Sequence, residues 1–366
     1  MNKIFDIIFL CIYLCVSEIG DDGVREYMSN VVGNVRLREK LCLDVLTDRL
    51  SHACILEGPT GTGKHTIAKN VAAALACKEK DSSAHPFPCT ECIGCRKVLE
   101  GKSPDVITVR RAPEKATLGV EIARFIKNDV VTVPNDLDVK VYIIEEADKM
   151  TEEAQNALLL TLEEPPSFVR FILLCEHSEL LLETIRSRAP VLRTEPIATE
   201  AIDEFICKAD RRAPQMKLSS PREYDELLVA AKGGIGTALE YLEPSAFAPV
   251  LQRRALAKEF LYAASARQPK ELIALISKFS SKRDVLTEQL TCLCEAVNDL
   301  VLIKKSDNAP LCFFEDRNTA IEISDQSSIS FLYTLGEAVL TALDSISKNA
   351  NLRLTLIKLL CDAELI

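Results

Sequence analysis

Gly58, Thr60, Gly61, Thr62, Gly63, Lys64, His65 and Thr66 follow a short apolar run, Ala53 to Leu56, and precede a helix-like segment from Ile67 to Ala76. Strand, glycine loop and helix in that order make a phosphate cradle. Backbone N–H groups turn inward, the helix N-terminus adds partial positive charge, and Lys64 supplies an ammonium for terminal phosphates. The spacing GxxxxGK is met, and the flanking elements argue against a glycine turn with a chance lysine. The next position holds Ser or Thr, whose hydroxyl binds magnesium, in a working site; here it is His65. Nucleotide binding is therefore a separate question, and the expectation is weak or vestigial binding of ATP and Mg2+.

A second group is Cys77, Cys89, Cys92 and Cys95, spaced C-x11-C-x2-C-x2-C. Thiolates two residues apart on a tight turn can share one tetrahedral ion, and a fourth from the preceding helix end closes the site. Four sulfurs leave no open position, so the expected ion is structural Zn2+. His85 could replace one ligand, but four cysteines make that unnecessary.

Glu145 and Glu146 end the apolar run Val139 to Ile144. A carboxylate at a strand end beside a phosphate loop can hold magnesium, and the next acid can polarise an attacking water. Aspartate is usual at the first place; Glu145 is one methylene longer, and magnesium tolerates little departure from octahedral contacts. Two glutamates after a strand are, taken singly, more often a solvated loop. Paired with the glycine loop they read as a degenerate or working hydrolytic centre. Thr184 to Arg188 forms a basic cluster whose arginine is either a solvated charge or a finger reaching into a neighbouring nucleotide site, and spacing alone leaves these equal.

The elements that must position these groups alternate. Residues 34–50 suit a helix packed on one side; 105–109, 139–144 and 169–174 read as strands, with Val191 and Leu192 in a last one; helical patterns lie between them, one N-capped by Thr151 and stopped at Pro165 and Pro166. Such alternation indicates a doubly wound parallel sheet, with phosphate loops at the carboxyl ends of its strands. Beyond Pro196 strand signals fade. Residues 199–243 suggest a small helical unit interrupted at Gly233 to Gly236, and 247–366 hold longer helices. Leu286, Leu290, Leu293, Val297, Leu300 and Val301 share one helical stripe, read here with slight preference as a subunit-contact surface over a self-contained core.

At 366 residues the chain suits two or three domains, and 48% hydrophobic with 27% charged residues describes a soluble globular protein. A net charge of −10, no Trp and 5% aromatics argue against an autonomous nucleic-acid binder or base-stacking platform. The 14 cysteines are spread through apparent helices and strands, and Cys54, Cys175, Cys292 and Cys294 read as buried thiols of a reducing compartment. Residues 4–16 are apolar but too short for a span of about 20 residues, and Asp6 interrupts them. A signal peptide lacks a small-residue cleavage context; the preferred reading is that residues 1–27 are a non-native upstream extension and Met28 the start.

Together, Gly58 to Lys64, the four-cysteine module, Val141 to Met150, Asn156 to Pro166 and Thr184 to Arg188 resemble the bacterial DNA polymerase III clamp-loader family of AAA+ proteins. The resemblance covers residues 28–243 and continues faintly to Asn349–Leu354. It implies a nucleotide-fold domain at 28–195 with a zinc module at 77–95, a helical lid at 196–245 and an all-α collar at 246–366. His65, Glu145, Leu174 to His177 without a Thr-Thr pair, and Gly234 to Leu239 without a sensor arginine are departures around one pocket. They are most similar to the delta prime branch, which is not a motor. By that resemblance Arg188 acts on an adjacent motor subunit, although Ala189 stands where the motif has cysteine. The implied partners are delta and gamma/tau subunits, with sliding clamp and primed DNA met through the assembled ring in the cytoplasm and no membrane involved. The alternatives are an ATP-hydrolysing gamma/tau-type subunit, with Thr66 or water in place of the hydroxyl, and a membrane-anchored nucleotide-binding protein.

Overall fold

The computed structural model describes residues 26–80, 86–112, 114–115, 117–306 and 309–366. The expected extension before Met28, up to residue 25, and His85 lie outside these. By contact density the chain divides into two compact units: Met1–Ala209 with Gly233–Thr237, and Asp210–Lys232 with Ala238–Ile366.

The first unit is built on five parallel strands, β1 (Ala53–Glu57), β2 (Val106–Val109), β3 (Lys140–Ile144), β4 (Val169–Cys175) and β5 (Val191–Arg193), in the spatial order β2-β3-β4-β1-β5. Continuous apolar runs suit strands covered on both faces, and Val141, Tyr142, Ile143 and Ile144 of β3 are all fully buried. Alternation sends Cys54, Leu56, Val141, Ile143, Ile172 and Leu174 to one face, against α1 (Val35–Leu46) and α2 (Lys64–Ala76). Ala53, Ile55, Tyr142, Ile144, Phe171 and Leu173 go to the other, which carries α4 (Val120–Asp129) and α5 (Glu152–Glu163). Helix α3 (Ile93–Leu99) packs on α2. Each large apolar side chain so covered contributes roughly 1.5–3 kcal/mol. The Thr151 hydroxyl accepts from the N–H of Ala154 at 3.2 Å, capping α5 as the sequence indicates. The short α6 (Glu183–Arg186) leads into β5, and α7 (Thr199–Ala209) ends the continuous part of the unit.

The second unit is helical: α8 (Arg212–Ser219), α9 (Pro221–Ala230), most of α10 (Ile235–Tyr241), α11 (Pro244–Ser265), α12 (Pro269–Ile276), α13 (Arg283–Lys305), α14 (Arg317–Asp325), α15 (Ile329–Ser347) and α16 (Leu352–Asp362). Its core corrects the preferred reading of the apolar stripe. Leu286, Leu290, Leu293, Val297, Leu300 and Val301 of α13 are buried within this unit, in one cluster with Phe260, Leu335 and Val339. An apolar helix face reads the same in sequence whether its partner is in the chain or outside it. By length and composition α15 could cross a membrane, but its Leu332, Leu335, Val339 and Ile346 belong to that same core.

Candidate functional site

The glycine loop joins β1 to α2, at the carboxyl end of the sheet. Lys64 opens the helix, and its ammonium donates to the carbonyls of Gly58 and, at 2.7 Å, Pro59. Burial holds this lysine below its ordinary pKa. The Thr62 hydroxyl donates to the Pro59 carbonyl at 2.8 Å and lies 3.0 Å from that of Thr194, while Thr60 donates to Glu176. Gly61 has φ +81, and a β-carbon there would come within 2.3 Å of the Thr237 hydroxyl. The N–H of Gly236 donates to the Gly61 carbonyl at 3.3 Å. Thus Gly233–Thr237, which interrupts the later helices, returns to the first unit and lies on the loop. Thr66 sits in the first turn of α2, where its carbonyl accepts from Asn70.

His65 and Glu145 meet: Nε2 lies 3.1 Å from Oε1 of the carboxylate. The other oxygen of Glu145 is 3.0 Å from Nε of Arg110. Burial, then the nearby charges of Lys69 and Arg110, push His65 down to about 4, so the ring is neutral at pH 7. Burial raises Glu145 against the opposing pull of Arg110. Glu146, in the left-handed region at φ 50, accepts from Arg111 Nε at 2.9 Å and from its terminal nitrogen at 3.1 Å, and from Lys149 at 2.6 Å. The Arg111 hydrogen bond in particular holds its carboxyl below the usual range.

Arg110 and Arg111 carry no motif that marks them in the sequence. They follow β2 directly, as Glu145 and Glu146 follow β3, and the register Val109↔Ile144 sets the two pairs opposite one another. The signal was present as two arginines after one strand and two glutamates after another. Its meaning depends on those strands being neighbours.

The four cysteines do converge. Their sulfurs lie within 4.8 Å of one another, with Cys89 and Cys95 at 3.9 Å. Tetrahedral Zn–S bonds of about 2.3 Å put sulfurs about 3.8 Å apart, so donor number, type and spacing fit zinc. Cys77 is the residue that ends α2, and Cys92 caps α3 while Cys95 lies in its first turn. The N–H groups of Cys92 and Cys95 point at the sulfurs of Cys89 and Cys92 at 3.4 and 3.5 Å. The hydrogen bond from Cys95 brings the Cys77 thiol down to about 5. Gly94 lets the helices approach: a β-carbon there would lie 2.3 Å from the Ala76 carbonyl oxygen.

Arg188 follows α6. Its guanidinium contacts Glu163 at 2.6 Å and the Thr184 carbonyl at 2.8 Å, with about a third of the side chain exposed. Asp148 accepts from the N–H groups of Glu176 and His177 at 3.1 and 3.4 Å, and Glu57 from those of Ser178 and Arg193 at 3.1 and 2.8 Å.

Residues 34–198 match the family model described as DNA polymerase III, delta subunit. The chain is 34% identical over 215 residues to DNA polymerase III subunit tau of Bacillus subtilis, covering 58% of this chain and 37% of that protein. It is 32% identical over 181 residues to subunit gamma of Buchnera aphidicola, covering 50% and 48%. With subunit delta' of Bacillus subtilis the identity is 32% over 175 residues, covering 48% and 51%. The chain thus spans between about a third and a half of these relatives' length. A gamma-subunit-related protein of known structure from Thermotoga maritima aligns over 89% of this chain and 98% of its own, at 19% identity and TM-score 0.41. Phosphate loop and sequence match agree: residues 34–198 match the DNA polymerase III delta-subunit family model and are similar to the tau, gamma and delta' subunits of DNA polymerase III.

Proposed function

We propose that this chain is a delta-prime-type, non-motor subunit of a clamp loader that places the sliding clamp on primed DNA. The observation that carries the reading is the tying of both acids: Glu145 to His65 and Arg110, and Glu146 to Arg111 and Lys149. A carboxylate already crowded by cationic or ring nitrogens is poorly placed to hold magnesium or polarise water. The loop is kept as a scaffold, with Gly58, Thr60 to Lys64, His65 and Thr66 retaining its shape and any ATP binding being weak. Cys77, Cys89, Cys92 and Cys95 hold structural Zn2+.

In this reading Arg188 leaves Glu163 to reach the nucleotide of an adjacent gamma/tau subunit, and delta is a further neighbour. The division into a 28–195 nucleotide fold, a 196–245 lid and a 246–366 collar for ring assembly belongs to the same proposal, as does a cytoplasmic location. The test is ATP turnover by the purified chain and by the reconstituted ring. The expected result is no motor-level turnover alone, and turnover by the ring that falls when it carries Arg188→Ala. Motor-level hydrolysis by the chain alone overturns the reading, and an unchanged ring rejects the finger. The second reading, an ATP-hydrolysing gamma/tau-type subunit, is favoured by the tau and gamma matches, and the same isolated-chain assay separates the two.

A further inference from the structure

A magnesium ion in a phosphate loop of this type needs a hydroxyl from the residue after the lysine and a carboxylate oxygen from the end of the neighbouring strand. Here the first place is the His65 imidazole, and one Glu145 oxygen faces that ring while the other faces Arg110. The residues present do not fit the ion. Magnesium takes oxygen donors in near-ideal octahedral contact and dehydrates reluctantly. To bind Glu145 it would have to displace the imidazole or the guanidinium, and then sit beside the Arg110 cation and close to Lys69, which both act electrostatically on Glu145.

Arg110 is well set for this role. It follows β2 at the register that brings it opposite Glu145, and its terminal nitrogen also lies 3.5 Å from His65 Nε2. We infer that Arg110 is an internal cation standing where a divalent ion stands in hydrolytic phosphate loops, and that with His65 it bars divalent metal from this site. The exclusion is a property of three side chains. It deepens the proposed non-motor role by giving its chemical cause, but it can fail while that role survives, because a site can hold metal and still not hydrolyse.

The test uses the full zinc-loaded chain with manganese(II) as probe, with and without a non-hydrolysable ATP analogue. Bound Mn2+ is read by electron paramagnetic resonance, and its place by broadening of the His65 ring protons. Wild type should show no Mn2+ held near His65 up to about 1 mM, and the triple variant Arg110→Ala, His65→Ser, Glu145→Asp should bind Mn2+ at least fivefold more tightly in the presence of the analogue. Broadening of His65 by stoichiometric Mn2+ in wild type overturns the inference. So does a triple variant that gains less than fivefold. Should the triple variant not fold, Arg110→Ala alone, at a half-exposed position, must gain Mn2+ affinity in the same direction, and no gain is equally fatal. Turnover of ATP by the same protein preparations, assayed without the analogue, reports on the non-motor reading independently.

Discussion

Gly94 lies against the carbonyl of Ala76 so closely that a β-carbon at position 94 would come within 2.3 Å of that oxygen. The contact joins the last turn of α2, which delivers Cys77, to the first turn of α3, which delivers Cys95. Both atoms belong to backbone or to its immediate substituent, so neither can swing aside.

Gly94→Ala should therefore spread the sulfur cluster while leaving all four ligands in place. Supporting residues around metal sites are worth about 10- to 100-fold in affinity, and a loss of at least tenfold is expected here. Zinc transfer to a colorimetric chelator measures it; transfer at the wild-type rate would mean that the helices can part without cost.

Purified protein should carry about one zinc per chain, and removing it should lower the thermal midpoint, because a closed four-thiolate site adds binding free energy to folding. Metal analysis and a thermal melt before and after chelation check this. Fewer than about 0.2 equivalents of zinc, together with four freely titrating thiols at these positions, would rule the site out.

His65 supplies a pH prediction. Its imidazole is held down to about 4 in the folded chain against an ordinary 6.5. Between those values the unfolded chain binds the extra proton, so this contribution is complete above pH 6.5 and is lost as pH falls toward 4. Glu145, raised by burial, works in the opposite sense, and only a difference isolates the histidine. Relative to His65→Gln, wild type should lose about 2 kcal/mol between pH 7 and pH 5. Denaturant melts at both values give the number. The ring resonances absent from His65→Gln should also stay unshifted over that range, and a midpoint near 6.5 would contradict the buried, neutral assignment.

Arg188 and Glu163 are each about a third exposed, so their pair is worth at most about 1 kcal/mol. Glu163→Gln should change stability by less than that and leave ring turnover intact, whereas, on the proposal that Arg188 is a finger, Arg188→Ala should lower ring turnover. Equal losses from both variants would make Arg188 a structural residue only.

Leu293→Ala should cost about 2–5 kcal/mol in the stability of the helical unit, since the side chain is fully buried there. A denaturant titration reads it, and a cost under about 0.5 kcal/mol would return the α13 stripe to the surface.

Strand β3 could be read directly from the sequence, because Val141 to Ile144, covered on both faces, leave a run with no polar alternation. The convergence of the four cysteines was legible for a related reason: three of them, Cys89, Cys92 and Cys95, lie within seven residues, where spacing is a local property. Arg110 with Glu145 was not, since 35 positions separate partners that meet only through the β2–β3 register. The return of Gly233–Thr237 to the glycine loop was hidden likewise. The α13 stripe showed the limit of periodicity, which identifies an apolar face and is silent about what covers it.

The glycine loop is braced at Lys64, Thr60, Thr62 and Gly61 by bonds to its own chain. A turn so supported keeps its outline whether or not a triphosphate is at hand. On the non-motor proposal, the melting temperature of the chain should therefore move little when ATP is added.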